Sequence, residues 1–110
     1  MPPVLGPPLD VAVLVPVFRD TALLHEALQS IVDQTYSRWH CYVIDDASPE
    51  DVDAAFAPCA AEGRFTLLRH GKNAGLSAAR NTGLRSMGEG DAVQFLDADD
   101  MLTPWALERR

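Results

Sequence analysis

The stretch VAVLVPVFRD, residues 11–20, decides the fold. From Val11 to Val17 it is almost wholly apolar and rich in valine, without the alternation of a strand that shows one side to water. A strand apolar at every position is one covered on both faces, as in the middle of a parallel sheet. Asp20 then caps a helix in which Leu24, Leu28, Ile31 and Val32 recur at helical spacing.

Outward from there the same pairing of strand and helix repeats. CYVI, residues 41–44, is a second strand that runs straight into Asp45 and Asp46. Ser48, Pro49 and Asp51 form a helix start signal: serine caps, proline suits the first turn, and the acid faces the positive helix end. FTLL, residues 65–68, is a third, shorter strand. The loop HGKNAG, residues 70–75, leads into a helix with Leu76, Ala79, Gly83, Leu84 and Met87 on one face, ended by Gly88 and Gly90. Residues 92–96 make a fourth strand, and Thr103 with Pro104 begins another helix.

Parallel strands need crossover connections, so this alternation predicts an α/β fold, a Rossmann-like three-layer α/β/α arrangement on a mainly parallel sheet. Right-handed crossovers favour the strand order 3-2-1-4, with the first and fourth strands adjacent where the winding reverses. Ligands in such sheets sit beyond the carboxyl ends of the strands at that switch. The sequence places Phe18, Arg19 and Asp20 there after strand one, Asp45 and Asp46 after strand two, and Asp97 and Asp99 after strand four. Three acid-bearing loops converge on one crevice.

Composition narrows what that crevice holds. The 110 residues suit one domain, and 47% hydrophobic content supports a core. With 16 acidic residues against 9 Lys and Arg, the formal charge is -7, which argues against nucleic acid as a partner. An acidic chain still binds a phosphorylated ligand when a divalent cation bridges carboxylates and phosphates. Cys41 and Cys59 show neither CxxC spacing nor a nearby histidine cluster, which suits structural thiols in a reducing compartment. The opening MPPVLGPPLD, with four prolines in ten residues, reads as an extended arm rather than a signal peptide. No apolar run is long enough to cross a bilayer, and the expected location is cytoplasmic.

The motifs carry different weights. With 11 Asp in the chain, about one DxD triplet is expected by chance, so spacing alone says little. Asp51-Val52-Asp53 has that spacing too, yet at a helix start the dipole explains its acids. Asp97 and Asp99 gain meaning from leaving a buried strand at the switch point. Asp45 and Asp46 together offer acceptors to a base or ribose on a rigid element. Asn73, Gly75, Arg80 and Asn81 frame the third helix, where glycine admits close backbone approach and a guanidinium grips phosphate with two hydrogen bonds. Arg80 has a plainer reading as a surface arginine bridging to an acid. Trp39 and Trp105 are expected to pack, and His25, His40 and His70, without visible partners, to be structural or exposed.

The stretches VAVLVPVFRD, LLHEALQSIVDQTY, CYVIDDASPED, KNAGLSAARNTGL and FLDADDMLTPWAL, in this order, resemble the nucleotide-sugar-binding half of family 2 glycosyltransferases, which have the GT-A fold. The likeness spans residues 11–107. It implies that Pro16, Val17 and Phe18 contact the nucleotide base, beside Asp20, with Phe18-Arg19 standing where the family often has Tyr-Asn. It implies that one of Asp45 and Asp46 binds the base, with Asn73 nearby, and that Arg80 stands near the diphosphate. Asp97 and Asp99 match the family's DxD motif, in which the first acid tends to meet the ribose and the second the metal, usually Mn2+ or Mg2+. Hard carboxylate ligands suit those ions rather than zinc.

The expectation is therefore a metal-dependent, inverting transfer of sugar from a nucleotide diphosphate sugar to an acceptor hydroxyl on a saccharide, lipid-linked glycan or protein. Residues 1–10 form the proline-rich arm and 11–110 the donor-binding part of a domain truncated at its C-terminus. In the family the general base comes from the second half of the domain, so it is expected beyond Arg110 and no catalytic residue is named here. The longer protein would be cytoplasmic or peripheral at the inner face of the membrane. A nucleotide-binding module without transferase activity is the alternative, and the edge of the fourth strand leaves room for a homodimer. Phosphatases of the haloacid dehalogenase type and receiver domains lose on order, since each needs a later lysine and the only one is Lys72, upstream of the DxD.

Overall fold

The computed structural model of the chain describes residues 10–19, 21–87, 92–98 and 100–107. Strands β1 (Val11–Val17), β2 (Trp39–Asp45), β3 (Phe65–Arg69) and β4 (Ala92–Phe95) form one parallel sheet in the order β3-β2-β1-β4. This is the expected order, with β1 paired on both sides. Helices α1 (Thr21–Val32) and α2 (Val52–Ala60) pack on one face and α3 (Leu76–Ser86) on the other, which makes the three layers.

The pleat sorts β1 between two cores. Val11, Val13, Val15 and Val17 join Leu24, Leu28 and Ile31 of α1, while Ala12 and Leu14 pack with Ile44 and Ala79 beneath α3. Helix α3 lies close to the sheet because Gly83 faces it: a Cβ there would stand 3.1 Å from methyls of Leu14 and Ile44. Its buried stripe is consequently narrower than the expected face. Ala79 and Gly83 are buried, but Leu76 and Leu84 are 51% and 42% exposed, because small residues at the contact leave the flanks in solvent.

Two helix expectations also need correcting. The cap of α2 is Asp51, whose side chain accepts from Ala54 N at 3.0 Å, rather than Ser48. Ser48 is used elsewhere, its amide donating to Asp45 Oδ1 at 2.8 Å and its hydroxyl accepting from Glu50 N at 3.1 Å. Residues 104–107 form a turn instead of a helix. Buried Gln34 anchors that segment to α1, donating to Thr103 O at 2.7 Å and accepting from Leu107 N at 3.0 Å.

Trp39 packs as expected, edge-on to Phe65, whereas Trp105 is 45% exposed. Cys41 and Cys59 are buried free thiols, and burial pushes both upward in pKa. Among the described residues no helix is long and apolar enough to cross a membrane. Asp20, Gly88, Gly90, Asp99 and Arg110 lie outside the described residues, and with Arg110 the place beyond it where the general base is expected.

Candidate functional site

Because the strands are parallel, the loops after β1, β2 and β4 leave the same edge of the sheet. Asp46 N donates to Val17 O at 2.8 Å, which holds the first two of those loops together. Beside them opens a cleft of about 350 Å3. Pro16, Val17 and Phe18 line it from β1 and its loop, Asp46 from beyond β2, and Asn73, Gly75, Leu76 and Ala79 from the start of α3.

Asp46 is 3% exposed, and the protein fills both of its oxygens. Oδ1 accepts from His70 Nδ1 at 2.7 Å and from Ala74 N at 2.9 Å; Oδ2 accepts from Asn73 Nδ2 and Gly75 N, both at 2.9 Å. Burial alone would raise its pKa, but the bonds from His70, Ala74 and Gly75 and the charge of His70 outweigh it and hold the carboxyl below its ordinary value. Gly75, at φ +96°, turns the chain so that its amide meets Asp46 as α3 begins. Few side chains tolerate that backbone. The negative charge also stands at the positive end of α3.

Asp45 is placed differently. Its Oδ1 accepts from Ser48 N, and its main-chain oxygen accepts from His70 N at 2.9 Å. Its Oδ2 has no hydrogen-bond partner among the described residues. Between the two acids and Ser48 the chain turns through Ala47, held in the left-handed region at φ +57°. Such a conformation is uncommon for a residue other than glycine and gathers at functional turns.

A second cleft, about 300 Å3, has Arg80, Gln94, Phe95, Leu96, Asp97 and Asp100 among its walls. Helix α3 borders both clefts, through Ala79 and Arg80. The Arg80 guanidinium carbon stands 5.2 Å from the centre of the Phe95 ring. Its Nε is buried without a hydrogen-bond partner, and no acid pairs with it among the described residues, so the ion-pair reading of Arg80 is not what the structure has. Asp97 is exposed, with its main-chain oxygen closing a turn onto Asp100 N at 3.0 Å. Its carboxylate accepts no hydrogen bond among the described residues, leaving a hard oxygen donor available to Mn2+ or Mg2+.

The structure thus gathers Pro16, Val17, Phe18, Asp46 and Asn73 in one cleft and Arg80 with Asp97 in the next, with Asp45, the residue before Asp46, in the lining of neither. His70, expected to lack partners, instead bridges Asp46 and Thr82, its Nε2 standing 2.7 Å from Thr82 Oγ1. One signal pointed there. With β2 beside β3 and Asp45 opposite Arg69, the next residues, Asp46 and His70, must be neighbours. Glu50 is a second unforeseen tie, its Oε1 accepting from Thr21 N at 3.0 Å and Thr21 Oγ1 at 2.6 Å across the mouth of the β1 loop. Those bonds hold the Glu50 carboxyl below its ordinary value.

Several known proteins are similar to this chain. The succinoglycan biosynthesis protein ExoW of Rhizobium meliloti (strain 1021) is 40% identical over 96 residues, 84% of this chain and 30% of that protein. The glycosyltransferase GlyA of Streptococcus pneumoniae is 39% identical over 98 residues, 84% of this chain and 13% of its own. Among solved structures, the mannosyltransferase PcManGT from Pyrobaculum calidifontis, in complex with GDP-Man and Mn2+, superposes with a TM-score of 0.77 at 30% identity, over 84% of this chain and 28% of that one. S. aureus TarS 1-349 in complex with UDP has a TM-score of 0.82 over 91% of this chain and 30% of its own, and at 23% identity shares the fold. The chain spans less than a third of the length of these relatives. The sequence profile of glycosyl transferase family 2 matches residues 12–110, nearly all of the sheet and both clefts, and the chain belongs to that family.

Proposed function

We propose that residues 11–110 are the donor-binding part of an enzyme that transfers a sugar from a nucleotide diphosphate sugar to an acceptor hydroxyl, with inversion, and that residues 1–10 are an arm outside it. One observation carries the reading: Arg80, stacked on Phe95 with a buried Nε that nothing accepts from, shares a cleft with the unpartnered carboxylate of Asp97. A cation and an anion side by side, neither satisfied by the protein, suit a ligand that itself carries both signs. A diphosphate with a divalent ion is such a ligand.

Each residue then has a task. The base lies in the first cleft against Phe18, its polar edge meeting the open Oδ2 of Asp45. Asp46 and Asn73 shape the wall. Arg80 grips the diphosphate, and Asp97 with Asp99 would hold Mn2+ or Mg2+. Such an ion, when bound, neutralises the charge that develops on the leaving diphosphate. The general base that deprotonates the acceptor comes from a segment beyond Arg110. The acceptor is a saccharide, lipid-linked glycan or protein, and the work is done in the cytoplasm or at the inner face of its membrane. The GDP-Man and Mn2+ held by the Pyrobaculum mannosyltransferase support a donor and an ion of this kind.

Calorimetric titration of the chain with UDP and GDP, with and without Mn2+, tests this, beside Asp97→Ala and Asp99→Ala. Mn2+ should tighten one of the nucleotides by about tenfold or more, and either substitution should remove the gain. Failure to bind any nucleoside diphosphate would sink the donor-binding role. Binding indifferent to Mn2+ and to both substitutions would remove the metal.

A further inference from the structure

The loop 70–75 and the first turn of α3 form one wall of the nucleotide cleft, yet little apolar packing holds them: Lys72, Asn73 and Ala74 are exposed and Leu76 is 51% exposed. What fixes this wall is polar, and it runs through His70. The residue makes three bonds to three places. Its amide donates to Asp45 O, its Nδ1 meets Asp46 Oδ1, and its Nε2 meets Thr82 Oγ1 in the middle of α3.

We propose that His70 is a positioning residue for nucleotide binding, which clamps Asp46 to α3 and thereby sets where Asn73, Gly75 and Leu76 meet the ligand. An ionised carboxylate only accepts, so Nδ1 carries the proton toward Asp46. Thr82 Oγ1, which also accepts from Arg85 at 3.3 Å, stands 2.7 Å from Nε2 and ties the far edge of the ring to α3. Asp46 in turn holds the amides of Ala74 and Gly75 and the side chain of Asn73. Without His70, Oδ1 keeps one donor of its two, and α3 loses its side-chain tie to the end of β2. The wall would then be free to shift relative to Phe18 across the cleft. His70 does not itself line either cleft and acts only through the groups it holds.

The inference rests on the donor-binding reading, so its test has two readouts. The first is affinity for UDP or GDP with Mn2+, whichever the unsubstituted chain binds. His70→Ala should weaken it about tenfold, the effect of losing one charge-assisted hydrogen bond at a site that shapes the ligand contact. His70→Asn, whose amide nitrogen can stand where Nδ1 stands, should recover most of that loss. The second is amide hydrogen exchange at Ala74 and Gly75. It should speed up at least about tenfold in His70→Ala, return toward the unsubstituted rate in His70→Asn, and leave Val13 and Val43 in the sheet unchanged. Exchange decides the matter even if the chain binds neither nucleotide, an outcome that would count against the donor-binding reading alone. Unchanged exchange at Ala74 and Gly75 in His70→Ala, or an asparagine no better than alanine, would overturn the positioning role.

Discussion

Asp46, beyond β2, is 3% exposed and each of its oxygens accepts two hydrogen bonds, whereas Asp97, beyond β4, is exposed and its carboxylate accepts none among the described residues. Both acids follow a strand of the same sheet and face the same end. The difference comes from neighbours. β2 lies inside the sheet with β3 beside it, so the chain leaving β3 passes over Asp46 and supplies four donors. Among the described residues β4 is an edge strand with β1 as its one neighbour, and no segment crosses Asp97 in that way. A carboxylate with its lone pairs filled shapes a site, and one left in water is ready to take a cation.

The sharpest way to break this comparison is to remove each acid. Asp46→Ala strands a histidine, an asparagine and two main-chain amides in a mostly buried place, and should cost about 3 kcal/mol of stability. Asp97→Ala should stay within about 0.5 kcal/mol, as surface changes do. Urea unfolding followed by circular dichroism separates them, and equal losses would mean that the two acids are not used differently. Acid should show the same contrast. The Asp46 carboxyl is held below its ordinary value in the folded chain, so the unfolded chain binds more protons as pH drops. Its contribution is complete above about pH 4 and disappears as pH falls through the folded-state value. Asp46→Asn should flatten that part of the acid limb.

Arg80 offers a smaller effect on the other side of the comparison. Replacing it with alanine should weaken nucleoside diphosphate binding by about tenfold, with a stability change below about 1 kcal/mol. Lysine should not restore the affinity, because an ammonium lacks both the planar face that stacks on Phe95 and the paired donors. Full recovery by Arg80→Lys in a titration would reduce the residue to a point charge.

How far these roles were legible depends on the distance over which each is set. The valines of β1 declared a strand covered on both sides, and crossover handedness carried that to the order β3-β2-β1-β4. The positions of Asp46 and Asp97 beyond their strands followed, whereas Asp45 is the last residue of β2 itself. The stripe of α3 did not, because periodicity counts Leu76 and Leu84 as core without knowing how closely Gly83 draws the helix onto Leu14. Nor did the choice of Asp51 over Ser48 as cap, since both are good caps and the amide of Ser48 is committed to Asp45. The filling of Asp46 by residues 70–75 was hidden for a related reason: a carboxylate 24 residues from its histidine looks free until the strands are set side by side.

The smallest effects concern a triplet with the same spacing as Asp97-Ala98-Asp99. In Asp51-Val52-Asp53, the first acid caps α2 by accepting from Ala54 N, and the second, 62% exposed at its side chain, pairs with Arg69. A cap is worth about 1 kcal/mol and an exposed ion pair about 0.5 kcal/mol or less. Asp51→Ala should therefore lower stability by about the first amount and Asp53→Ala by no more than the second. Neither should change the affinity for UDP or GDP with Mn2+. A loss of that affinity in Asp53→Ala would show that an acid already placed by a helix start and a surface pair still acts on the ligand. Position after a strand would then no longer separate the acids that bind from the acids that build.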